Sequence, residues 1–186
     1  MVVVDYYSRW LEIVRFHTTT AAAMISKFQH IFAMHGIPDI VISYNGPQFE
    51  CKELHNFAHE FDFQHQTSSP AFPQANGQAE SGVKIAKKIL RQASLVVALL
   101  TCRATLHSST GVSPEQALMG RELKTKLPVL PDNLMQEPCS DEDLRKADQK
   151  TKDSCKQNFD RRHDAVPLTP LKPGDPVLVK TAEESV

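Results

Sequence analysis

Four cations crowd one short stretch of the chain. Lys84, Lys87, Lys88 and Arg91 recur at helical spacing, so that Lys84, Lys88 and Arg91 share a face with Lys87 beside it. Such a stripe can neutralise successive phosphates of a nucleic acid, a contact that depends on salt and not on base identity. It is equally the ordinary solvated face of a helix. Just upstream, residues 74–78 form a polar loop from which Asn76 and Gln78 can reach a nucleotide or serve only as a flexible connection. Cys51, His55 and His59 fall at i, i+4 and i+8 of a predicted helix and imitate part of a zinc site. Only His65 offers a fourth ligand there, and surface or half-buried histidines are the simpler reading. Asp5, an acid in an apolar run, is either a candidate carboxylate or a turn-stabilising group. No Gly-rich phosphate loop, HExxH motif or Ser/His/Asp order is present.

The elements that must carry these groups follow from periodicity. Residues 1–7 are a β-branched and aromatic run, and residues 11–16 alternate apolar with charged as an antiparallel partner would. The chain thus opens inside a strand, which leads us to expect a segment missing upstream. Thr18, Thr19 and Thr20 offer caps for a helix to about His35, whose Met24, Ile25, Phe28, Ile31 and Phe32 share one face; Gly36 and Pro38 end it. Residues 40–42 form a continuous apolar strand of the kind buried on both faces. A helix over residues 51–60, a strand over 63–67, a loop over 68–78 and a basic helix over 79–91 complete the order β-β-α-β-α-β-α. Further helices are predicted at 94–106 and from the Ser113-Pro114 pair, and prolines at 128, 131 and 138 mark a linker. A charged helix follows, with Asp141, Glu142 and Asp143 complementing its dipole. The order reads as mixed α/β.

With 186 residues, the chain has room for one ordinary domain and an appendage. No apolar run reaches the roughly 18 residues of a membrane span, so no membrane role is expected. Four scattered cysteines without a CxxC pair, and no N-x-S/T site, favour an intracellular address. The net charge of −1 hides an imbalance: residues 61–130 hold 8 basic against 4 acidic groups, whereas the flanking thirds are net acidic. Attraction to nucleic acid is therefore local to the middle third.

Three segments in order resemble the integrase core of gypsy-class LTR retrotransposons and retroviral Pol polyproteins. They are Val2-Val3-Val4-Asp5-Tyr6-Tyr7-Ser8-Arg9; Gly36-Ile37-Pro38 leading into Ile42-Ser43-Tyr44-Asn45-Gly46-Pro47-Gln48-Phe49; and Ser68-Ser69-Pro70 leading into Pro73-Gln74-Ala75-Asn76-Gly77-Gln78-Ala79-Glu80. Downstream, Arg103-Ala104-Thr105, Thr110-Gly111-Val112-Ser113-Pro114 and Gly120-Arg121 continue the likeness, and residues 171–180 resemble the opening of that family's small C-terminal barrel.

The resemblance implies an α/β, RNase H-like mixed sheet that lacks its first, central strand, between residues 2–7 and 40–43. It implies a core over 1–127, a linker over 128–139, a charged helix over 140–164 and the start of an SH3-like barrel over 165–186. It also implies DNA strand transfer by two Mg²⁺ or Mn²⁺ ions on two Asp and one Glu. Glu80 matches the Glu, but Tyr44 stands where the second Asp is expected, with 35 residues between them. The first Asp belongs to a strand before the segment that holds Asp5, so Asp5 is not its equivalent. A phenol is a poor Mg²⁺ ligand at neutral pH and Glu80 alone cannot organise two metals, so productive metal binding and catalysis are not expected. What the family would retain here is contact with DNA (element ends and target) through Lys84 and Lys87, with possible homo-oligomers and a nuclear address. Cys102 stands where the family commonly has tyrosine, most simply a core substitution. Two alternatives stay open: a co-opted module that binds DNA or protein through the 84–91 and 140–163 helices, and a pseudogene fragment without folded function.

Overall fold

Val2–Val4 (β1) and Leu11–Ile13 (β2) pair antiparallel, Val3 opposite Glu12, in the computed structural model, which describes residues 1–68, 76–126 and 139–164 with positions 128 and 176. The hairpin is tighter than predicted, and Tyr6 and Tyr7 belong to the turn. Asp5 causes this. Its carboxylate accepts from the Ser8 amide at 2.7 Å and the Ser8 hydroxyl at 2.6 Å, and Arg9 turns the chain with φ 65°. Asp5 is thus occupied as a turn-stabilising group. Ser8, Arg9, Trp10 and Leu11 are all buried behind it.

Helix α1 (Ala21–His35) starts at Thr20, whose hydroxyl accepts from the Ala23 amide, and ends at Gly36, which takes φ 88°. Its buried Met24, Phe28, Ile31 and Phe32 meet Leu54, Phe57 and Ala58 of α2 (Lys52–Glu60) and Phe63 in the main core. There the Phe32 and Phe57 rings stack with centroids 5.9 Å apart.

Strand β3 (Ile40–Ser43) pairs in parallel with β4 (Gln64–Thr67). The described strands form two separate two-stranded sheets, β1-β2 and β3-β4. For this reason β3 is not buried on both faces as predicted: Ile40 and Ile42 are 48% and 38% exposed, and only Ser43 is buried. Among the described residues, one flank of β3 has no strand beside it.

Helix α3 (Gly77–Ile89) lies on β1 through Gly82, where a Cβ would collide with Val4 Cγ2. Helix α4 (Leu95–Ala104), capped by Ser94, buries none of its residues fully; it stops short of the predicted end at 106. Arg103 fastens it to the hairpin, donating to the Leu11 carbonyl at 2.8 Å, pairing with Glu12 at 2.9 Å and lying 4.1 Å over the Trp10 ring. Helix α5 (Pro114–Met119) begins at the Ser113-Pro114 cap and ends at left-handed Gly120.

Helix α6 (Asp141–His163) docks on the core, which its charged sequence gave no reason to expect. Leu144 is 3% exposed, Asp148 pairs with buried Arg9, and the Thr151 hydroxyl donates to the Ser109 carbonyl at 3.2 Å. The linker, the barrel strand and most of the polar loop fall outside the described residues.

Candidate functional site

Tyr44 follows β3 directly, and Glu80 sits in the first turn of α3, where a carboxylate is favoured by the helix dipole. The fold brings the two together. Burial raises the Tyr44 phenol above its ordinary value of 10.0, and the negative charge of Glu80 raises it further. The hydroxyl therefore stays protonated at neutral pH. Tyr6 joins this end of the site by donating to Asn76 Oδ1 at 3.4 Å.

Asn76 is 1% exposed. Its amide nitrogen has no hydrogen-bond partner among the described residues. The sequence left residues 74–78 open as a loop that reaches a nucleotide or merely connects; in the fold Asn76 is the residue from which α3 starts, accepting a hydrogen bond from Tyr6. Gln78, two residues on, is half-buried. A buried Asn beneath a tyrosine was not legible from composition, because polar loops read as solvated.

The cationic stripe continues along α3 from Glu80, with Lys84 and Lys87 four and seven residues further on. Lys84, Lys87 and Lys88 are exposed, and none is in an ion pair among the described residues. Arg91 is exposed too but lies beyond the helix, whose C-cap is Leu90; a short turn in which the Arg91 amide donates to the Lys88 carbonyl at 3.3 Å keeps it near the stripe. The lysines of the last turn also complement the helix dipole, which is their minimal structural role.

The Cys51 group divides. Cys51 caps α2 and donates to the Gln48 carbonyl, and His55 and His59 are exposed on the helix surface. The His65 ring stands edge-on to His55 with centroids 6.4 Å apart, and its Nε2 lies 2.9 Å from the Ser43 hydroxyl. Burial, then the neighbouring His55, lowers the His65 pKa. No three His, Cys, Asp or Glu among the described residues are grouped to hold a metal ion. Cys102 is half-buried, with its thiol pushed up by burial, and all four cysteines are free.

A cavity of about 530 Å³ opens between β1 and β3, with Tyr6, Tyr44, Asn76 and Ala79 at one end. The family's two-metal chemistry does not fit the Tyr44 and Glu80 positions beside it. They present one neutral phenol and one carboxylate, whereas hard divalent ions need several oxygen ligands.

Two parted strand pairs, the helix that bears Glu80, and a phenylalanine-rich layer of helices on one side define the RNase H-like class of α/β fold. Within that class the chain has the fold of the integrase catalytic core. It superposes on the simian T-cell lymphotropic virus intasome with a TM-score of 0.58 at 22% identity, covering 75% of this chain and 52% of that one. On the HTLV-2 integrase catalytic core domain in complex with magnesium the TM-score is 0.51 at 21% identity, covering 63% and 82%. Among curated proteins it is 29% identical over 140 residues to the uncharacterized protein K02A2.6 of Caenorhabditis elegans, and 26% identical over 137 residues to the Gag-Pol polyprotein of walleye dermal sarcoma virus. These matches cover 70% and 67% of this chain but only 11% and 8% of those proteins. No protein-family model matches. The chain is thus similar in sequence to a retroviral Gag-Pol polyprotein and in fold to retroviral integrase cores.

Proposed function

We infer that this chain is an integrase-related module that holds DNA through the exposed stripe of α3 and does not itself perform strand transfer. The supporting observation is the placement of Lys84, Lys87 and Lys88, exposed and without carboxylate partners among the described residues, on the helix whose first turn carries Glu80. Unpaired lysines retain their full value for phosphate, since no internal ion pair must be broken first. Arg91 extends the stripe by one position. The inert reading of the Glu80 end rests on its donor set: a protonated phenol cannot stand in for the carboxylate that would complete a metal cradle. Element ends and target DNA are the partners proposed, in the nucleus.

The test is fluorescence anisotropy with a labelled duplex over a salt series. Four phosphate contacts predict a slope of log K against log salt of about −3.6, from about −0.9 per phosphate. Lys84→Glu combined with Lys87→Glu removes two contacts and flattens that slope by about 1.8 or more. A slope near zero in the parent, or one unchanged in the double variant, refutes the assignment. Strand transfer by the chain in Mg²⁺ or Mn²⁺, abolished by Glu80→Gln, would refute the inert reading separately.

A further inference from the structure

Three further cations stand exposed where α5 ends. Arg121, Lys124 and Lys126 lie in the non-helical stretch after left-handed Gly120, and none is in an ion pair among the described residues. Glu122, half-buried, is the one acid of residues 121–126. The stretch is held in place. The Leu123 amide donates to Glu115 Oε1 at 2.8 Å, and Glu115 is 1% exposed within α5. Burial pushes the Glu115 carboxyl up, whereas the Leu123 amide and the charge of Arg121 hold it down. Arg121 thus divides its charge with Glu115, and Lys124 and Lys126 remain as unopposed cations. A side chain buried in α5 fixes the backbone between them before any ligand arrives, which lowers the ordering cost of binding.

We propose that residues 121–126 form a second phosphate-contacting strip, in which Lys124 and Lys126 bind the sugar–phosphate backbone of the nucleic acid that α3 holds. The proposal rests on the reading that the chain binds DNA, and it adds a contact on a different element. Helix α5 packs on α4 and α4 on α3, and Leu118 of α5 lines the same cavity as Ala79 of α3. Gly120 is two residues beyond Leu118. Lys84 is five residues beyond Ala79, about 7.5 Å along the helix at about 1.5 Å per residue. Both sets of cations therefore issue from one neighbourhood of the fold. Lys124 and Lys126 are at most about 7 Å apart along the backbone, two steps of about 3.6 Å. A nucleic-acid strand presents one phosphate per about 3.4 Å of its axis, so a pair so spaced can meet two separate phosphates. Such contacts position the duplex and read no bases. A single stripe leaves a duplex free to turn about it; a second strip on another element removes that freedom.

The test is a salt series with a labelled duplex and the whole chain. Two phosphates beyond those of α3 take the slope of log K against log salt from about −3.6 to about −5.4, at about −0.9 each. Lys124→Gln combined with Lys126→Gln is expected to return it to about −3.6 and to weaken binding at least about tenfold at about 0.1 M salt. The melting temperature should not change, because both side chains are exposed and unpaired. Lys150→Gln combined with Lys156→Gln removes the same charge from exposed sites of α6 and should leave the slope as it was. An unchanged slope in the Lys124/Lys126 variant, or an equal loss in the α6 control, overturns the strip. In both cases flattening by Lys84→Glu with Lys87→Glu would leave the α3 reading standing, so the two failures are told apart. Free hydrogen exchange of the Leu123 amide in the unbound chain would overturn the fixed backbone. Tighter binding of polyglutamate than of the duplex, lost in the Lys124/Lys126 variant, would make an acidic protein the partner and overturn the nucleic-acid assignment.

Discussion

Replacing Asp148 by Asn should uncouple α6 from the core at a cost set by Arg9. The Arg9 side chain is 3% exposed and held at φ 65°, and its Nη2 donates to Asp148 while its Nη1 donates to the Tyr6 carbonyl at 2.6 Å. Its Nε has no partner among the described residues. Removing the Asp148 charge therefore strands a buried guanidinium. Breaking one side of a buried pair typically costs about 3–5 kcal/mol. The lower end, about 3 kcal/mol, applies here because the Tyr6 contact survives. Arg9→Met is milder, since Asp148 keeps Lys152 at 2.7 Å and is itself 15% exposed. The double variant leaves no buried charge, so a double-mutant cycle should show at least about 1.5 kcal/mol of coupling. Urea unfolding reports this through the fluorescence of Trp10, the one tryptophan and next to Arg9, and through far-ultraviolet circular dichroism for α6. Acid supplies a second readout. Burial raises the Asp148 pKa, but hydrogen bonds from Lys152 and Arg9 outweigh it and hold the carboxyl below its ordinary 3.8. The stability it contributes is present above 3.8 and is lost as pH falls through the folded value, a loss the Asn variant should lack. Asp148→Asn within about 0.5 kcal/mol of the parent, the range of an ordinary surface change, would refute the docking argument.

Gly82→Ala forces a methyl against Val4 Cγ2, with Leu11 and Val2 close behind. Overpacking of about 1–3 kcal/mol, offset by about 1 kcal/mol of helix propensity, leaves a net loss of up to about 2 kcal/mol. Thermal melting should show it, with partial recovery in Gly82→Ala/Val4→Ala; a variant as stable as the parent would contradict the close approach of α3 to β1. His65, with its pKa held below 6.5 chiefly by burial, takes up its proton less readily folded than unfolded. Stability should thus fall as pH drops from 6.5 through the folded value, and His65→Gln should flatten that limb of the melting-temperature profile. An unchanged limb would mean that the Ser43–His65 contact carries none of this dependence.

Much of the fold was legible locally. The spacing of Met24, Phe28, Ile31 and Phe32, the Thr20 and Ser113 caps and the stop at Gly36 act over one or two turns of chain, so they can be read from neighbours alone. The exposed lysines of α3 follow for the same reason: charge and helical phase place them outward without further information. Glu80 and the tyrosine at 44 are visible as a motif and its breach only through the resemblance to the integrase core. Other features depend on residues far apart in sequence. Asn76 is buried because Tyr6, 70 residues away, closes over it. Helix α6 docks because Arg9, 139 residues distant, needs a carboxylate in a place water does not reach. The exposure of Ile40 and Ile42 is decided by what lies beside β3, since a strand's hydrophobicity records its need for partners and cannot say whether both edges have found them. Helix phase, capping and charge were set by the sequence itself; edge pairing and the burial of polar groups were decided only in three dimensions, where long-range neighbours replace water.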